Sequence, residues 1–146
     1  MPHLVILYTG QLDAEVNMTQ LCQQLAQAMG TCTDESGQPV FPVGGTRVLA
    51  YPAPHYAVAD GGDAGRAAGG TGDYAFVYLN LRMGQGRSDA VQRQVGDTLR
   101  ACVNAFFRPV LPQRHIGVTL QIDVGEEVYN AKLSNLHPLF NPSFKG

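Results

Sequence analysis

A two-layer α+β fold, with a four-stranded mixed sheet and two helices on one face, is predicted by three features of the sequence. Two strand-helix-strand patterns run in tandem, a Gly-rich stretch separates them, and the third strand is apolar on both sides. Residues 1–146 accordingly read as one domain, with pseudo-repeat halves of about 1–60 and 73–146 and a Gly-rich loop over 61–72.

Residues 3–8 are continuously apolar and rich in branched side chains, the pattern of a strand buried on both faces. Over 17–29, Leu21, Leu25, Ala28 and Met29 recur at helical spacing, and Gly30 ends the helix. Gly37, Pro39, Pro42, Gly44 and Gly45 mark a loop; residues 46–51 then read as a strand closed by Pro52 and Pro54. The stretch 60–72 has too few apolar side chains to pack and too many glycines to hold one shape, so a mobile loop is expected. Its glycines lack the strand-before, helix-after setting of a dinucleotide or phosphate loop.

The second half repeats the pattern more strongly: a strand over 73–83, a helix from 88 to about 107 and a strand over 115–124. Val91, Val95, Leu99, Cys102, Val103 and Phe106 share one helix face. Ser88 suits the N-cap, Asp89 the first turn, and Pro109 stops the helix. Helical crossovers make the strands parallel within each unit. In the third strand Ala75, Val77, Leu79, Leu81 and Met83 line one face and Tyr74, Phe76 and Tyr78 the other. Two helices cover only one side, so the other is expected to meet a further copy of the chain, giving a homo-oligomer.

Ten basic against twelve acidic residues give a net charge of -2, without the footprint of a nucleic-acid or anionic-membrane binder. No run is long enough to cross a bilayer, and the start lacks the basic n-region of a signal peptide. Cys22, Cys32 and Cys102 are odd in number, and Cys22 and Cys102 sit in helical patterns, which suggests reduced thiols in a cytoplasmic setting. No nucleophile elbow, Walker loop, paired carboxylates or metal-ligand cluster is present, so neither a metal nor a cofactor is expected.

What remains is an amine base and arginines. Pro2 is compatible with removal of Met1, which would expose a secondary amine. Many ordinary proteins begin Met-Pro; Pro2 gains weight by leading directly into a buried strand, which fixes the amine at an ordered strand end. An α-amino group titrates near about 7.7–8.0, lower beside an arginine, the range a neutral-pH proton shuttle requires. Gly84-Gln85-Gly86-Arg87-Ser88 joins strand to helix, where free N–H groups and the Arg87 guanidinium suit a carboxylate, although a plain turn with a solvated Arg fits equally well. Arg47, near the start of the second strand, is alone more often a surface residue than a clamp. His3, His55 and His115 read as structural or surface groups, and His137 belongs to an apolar C-terminal segment suited to docking on a neighbour.

These segments resemble the 5-carboxymethyl-2-hydroxymuconate isomerases of the tautomerase superfamily. The likeness is carried by Met1-Pro2-His3, Phe41-Pro42-Val43-Gly44-Gly45-Thr46-Arg47, Asp73-Tyr74-Ala75-Phe76-Val77 and Gly84-Gln85-Gly86-Arg87-Ser88, with a weaker echo in Leu136-His137-Pro138-Leu139-Phe140. The resemblance implies a tautomerase-like fold, a homotrimer with active sites near subunit boundaries, Pro2 as the catalytic amine, and Arg47 and Arg87 as substrate-binding arginines. It further implies ketonisation of a small carboxylated dienol in the homoprotocatechuate branch of aromatic catabolism. Three departures, a longer 33–40, an apparent insertion at 61–72 and a different tail after residue 124, bear on substrate identity more than on reaction type. The alternatives are a phenylpyruvate or other 2-hydroxymuconate tautomerase, a dehalogenase or hydratase of unsaturated acids, and a non-catalytic trimeric binding protein.

Overall fold

The computed structural model describes residues 2–143. Four strands, β1 (His3–Thr9), β2 (Arg47–Ala53), β3 (Ala75–Gly84) and β4 (Ile116–Gly125), form one sheet in the order β2-β1-β3-β4. β1 pairs with β2 in parallel and β3 with β4 in parallel, while β1 and β3 run antiparallel, so the sheet is mixed. The parallel pairs are those joined by the long helices, as crossover connections require.

Both long helices sit where side-chain spacing puts them. α1 (Met18–Gly30) begins at Asn17, whose side chain accepts a hydrogen bond from the Gln20 N–H at 3.0 Å. It buries Met18, Leu21, Leu25 and Met29, one stripe at intervals of three and four. Residues 63–67 form the short α2 (Asp63–Ala67). α3 (Asp89–Phe107) is capped by Ser88, whose hydroxyl accepts from the Val91 N–H, and it buries Val91, Val95, Leu99, Val103 and Phe107. Phe107 takes the core position, and Cys102 and Phe106 are only half-buried beside it.

Alternation in the strands selects the buried face. Leu4 and Ile6 of β1 and Val77, Leu79 and Leu81 of β3 are fully buried against α1 and α3. On the opposite face Leu7, Leu49, Tyr51 and Phe76 are exposed, at 48%, 46%, 51% and 37% respectively. Four large apolar side chains on one uncovered face form a patch of the kind that subunit contacts bury. Among the described residues no helix is long and apolar enough to cross a membrane.

The Gly-rich stretch departs from expectation. It folds into α2 and is tied down from outside: the Gly65 N–H donates to the Tyr74 hydroxyl at 2.8 Å, and Asp60 accepts from the Gly62 and Ala64 N–H groups, both at 2.9 Å. Tyr74 therefore precedes β3 and anchors this segment, with its ring edge-to-face with His115. Glycine is required for closeness as well as for turning. Gly62 has φ 111°, and a Cβ there would lie 2.3 Å from the Gly72 carbonyl oxygen. Gly62→Ala should raise amide exchange across α2 about tenfold or more, the equivalent of roughly 1–3 kcal/mol of strain. Unchanged exchange in that variant would show that the segment tolerates a side chain at this position.

A last helix, α4 (His137–Phe140), follows a tail without regular structure and packs on the 3-10 turn Val43–Gly45 of the same chain. The apolar pattern of this segment suggests docking on a neighbour; the contact seen is internal, although Leu139 and Phe140 remain 71% and 58% exposed.

Candidate active site

One edge of the sheet collects the basic and amine candidates. β1 and β2 begin there and β3 and β4 end there, because β3 and β4 run opposite to β1. Pro2 is buried at the head of β1. Its neighbour His3 pairs with Arg47 on one side and Arg82 on the other, so Pro2 leads into a strand flanked by two arginine positions. Arg87 lies just past the end of β3, in the turn into α3. The register thus brings the chain ends bearing Pro2, Arg47 and Arg87 to one edge. Met1 lies outside the described residues, and with it the state of the Pro2 nitrogen.

Each arginine is anchored to main-chain carbonyls. Arg47 Nη1 donates to the Gly44 and Thr46 oxygens, both at 2.9 Å. Arg87 Nη2 donates to the Val40 oxygen at 3.0 Å and Nη1 to the Gly84 oxygen at 3.3 Å. Both are half-buried and both brace the segment 40–46. Two guanidinium groups are thereby fixed, with further donors left for an anion.

At the start of α3 the chain itself takes part of the carboxylate-receptor position that the sequence suggests. The Ser88 hydroxyl donates to Glu35 while accepting from the Val91 N–H, and Asp89 occupies the first turn. The hydrogen bond from Ser88 holds the Glu35 carboxyl below its ordinary value, so it is an anion at neutral pH. A carboxylate of the chain itself, from the 33–40 segment, therefore sits at this helix start.

Arg82 was not singled out by the sequence, and the pairing explains why it differs from Arg47. It stands opposite Asp123 in β4, whose carboxyl is held low by hydrogen bonds from Gln121 and Asn80, with Arg82 adding to the effect. Alternation along β3 placed Arg82 on the uncovered face, but its partner became legible only through the register with β4.

Two cavities open near this edge. One of about 630 Å³ is bounded by Arg47 and by tail residues including Lys132, Ser134 and His137. A smaller one of about 200 Å³ lies between His3, Arg82, Met83 and the residues following β4. A larger cavity of about 710 Å³ flanks the outer side of β2, between Val48–Ala50 and the start of α1. Its wall carries Asp13 and Glu15, which oppose an anionic ligand. Its Tyr8 hydroxyl is pushed up to about 12 by burial and by its 2.5 Å hydrogen bond to Asp13, so it stays protonated at neutral pH. The arginine-lined edge is the better match to a carboxylated substrate.

This sheet, with both long helices on one face and a strand headed by Pro2 beside the arginine-bearing turns, has a tautomerase-like fold. Two solved trimers of fused 4-OT share it at TM-score 0.52 with 16% and 17% identity, a likeness of fold alone. The family model for 5-carboxymethyl-2-hydroxymuconate isomerase matches residues 2–140, and the chain belongs to that family. A crystal structure of a 5-carboxymethyl-2-hydroxymuconate delta-isomerase is 62% identical, with TM-score 0.93 over 97% of this chain and 93% of the other. A 5-carboxymethyl-2-hydroxymuconate isomerase from Deinococcus radiodurans R1 is 32% identical, with TM-score 0.77, over 96% and 94% of the two chains. The Escherichia coli 5-carboxymethyl-2-hydroxymuconate Delta-isomerase is 24% identical over 96% of this chain and 99% of its own.

Proposed function

We propose that the chain is a 5-carboxymethyl-2-hydroxymuconate isomerase in which the free amine of Pro2 moves the proton. The amine, exposed by loss of Met1, removes the proton of the 2-hydroxyl group, and a proton is returned at C5 to give the conjugated ketone. The oxyanion that develops at C2 needs nearby positive charge, and Arg47 and Arg87 supply it while holding the substrate's carboxylates. The observation that carries this reading is the sheet register, which sets the strand headed by Pro2 beside Arg47 and in line with the Arg87 turn.

The active form is read as a homotrimer, supported by the exposed apolar face of β1, β2 and β3 and by the trimeric state of the fused 4-OT relatives. Sedimentation at micromolar concentration should give three chains per particle; a monomer would remove the argument from the uncovered face. A cytoplasmic place in the homoprotocatechuate pathway fits the substrate and the three free thiols.

The direct test is the ultraviolet band of the dienol: purified protein should speed its loss over buffer, and intact mass should show Met1 absent. Arg47→Ala and Arg87→Ala should each raise KM about tenfold or more, since a charge-assisted hydrogen bond contributes roughly 1.5–3 kcal/mol. Wild-type kinetics in both variants would end the assignment of these arginines. A panel of 2-hydroxymuconate, phenylpyruvate enol and halogenated unsaturated acids distinguishes other chemistries on the same scaffold.

A further inference from the structure

The tail after β4 bounds the cavity above Arg47 and brings a second cation to it. That cavity, about 630 Å³, is within the range of small-ligand sites, and Lys132 lies in its wall with Arg47. Both hydrogen bonds of Arg47 use Nη1, which leaves Nε and Nη2 for a ligand. Lys132 is exposed and makes no ion pair within 4 Å among the described residues, with Glu127 in electrostatic range.

The tail is seated over Arg47. Gly44 is buried beneath α4, where a Cβ would come within 3.2 Å of Phe140 Cδ2 and 3.5 Å of the His137 Cα. Nearer the cavity, Ser134 Oγ accepts from the Leu136 and His137 N–H groups at 3.1 and 3.3 Å and lies 3.0 Å from His137 Nδ1. These contacts fix residues 134–137, two residues beyond Lys132.

A muconate carries two carboxylates, and a carboxymethyl group adds a third. Resting on the isomerase reading above, we propose that Lys132, together with Arg47, binds this third carboxylate in the tail cavity and so selects tricarboxylate enols over dicarboxylate ones. Lys132 is then a specificity residue that takes no part in the proton transfer.

The test compares wild type with Lys132→Met and Lys132→Arg on 5-carboxymethyl-2-hydroxymuconate and on 2-hydroxymuconate. Lys132→Met should raise KM for the first about tenfold with kcat little changed, leave both constants for the second unaltered, and be largely rescued in Lys132→Arg. Equal effects on both substrates, or none, would overturn the proposal. Calorimetry of propane-1,2,3-tricarboxylate against glutarate separates this from the isomerase reading, because it needs no turnover. Lys132→Met should weaken the tricarboxylate about tenfold and leave glutarate unchanged, and equal affinities in wild type and variant would refute the site even in an active enzyme. Absence of turnover in wild type would refute the isomerase reading alone.

Discussion

Pro2→Ala is expected to lower kcat for the dienol about 10²- to 10³-fold, within the range that general acid-base catalysis supplies. The loss should be incomplete, because the substituted alanine, once Met1 is removed, still offers a primary amine at the same strand end. A primary amine differs from the pyrrolidine nitrogen in basicity and in the fixed direction of its lone pair, and both matter when the acceptor must lie in line with the 2-hydroxyl proton. The free base is the active form, so kcat/KM should rise with pH through the amine's pKa. Two cationic guanidinium groups at the same end of the sheet favour the neutral amine and so move the midpoint below the amine's ordinary value. Turnover within threefold of wild type, or a pH profile without this acid limb, would remove Pro2 from the mechanism.

The second large effect concerns stability. Leu79→Ala should cost about 2–5 kcal/mol, because Leu79 is fully buried in β3, a central strand, and faces Ile6 and Leu120 in the adjoining strands. The cavity so made lies under α1 and α3, whose own side chains cannot close over it without moving a strand. For a chain of this size the change corresponds to roughly 6–15 °C in Tm. Melting must be compared at one protein concentration, since subunit association would add to the apparent stability. A shift under 2 °C would show that the core repacks around the lost side chain.

Periodicity accounts for what could be read directly. The alternation of β3 and the fourfold spacing of Val91, Val95, Leu99 and Val103 are local signals, and these elements lie where the sequence puts them to within two residues. The helix in 63–67 gave no such signal, because its support comes from the Tyr74 hydroxyl and from a carboxylate at Asp60 that caps its amides. The seat of α4 was equally hidden: it depends on the absence of a side chain at Gly44, far away in sequence. At the candidate site, Pro2, Arg47 and Arg87 were legible as residues in motifs. Their anchoring was not, since the bond from Arg87 to the Val40 oxygen joins two segments that only the folded sheet brings together. Glu35 on Ser88 escaped for the same reason.

The position of β1 also has a kinetic consequence. It is flanked by β2 and β3, so the first strand made waits for its second neighbour, and its partner Arg82 emerges on the order of 10 s after His3 at ~5–20 residues per second of synthesis. Until then an apolar strand keeps an edge that β2 cannot cover open to other chains, and contacts of such long sequence separation close slowly. Newly made protein should therefore depend on chaperones during this interval, and the strand headed by Pro2 should reach its working geometry only as β3 closes on it.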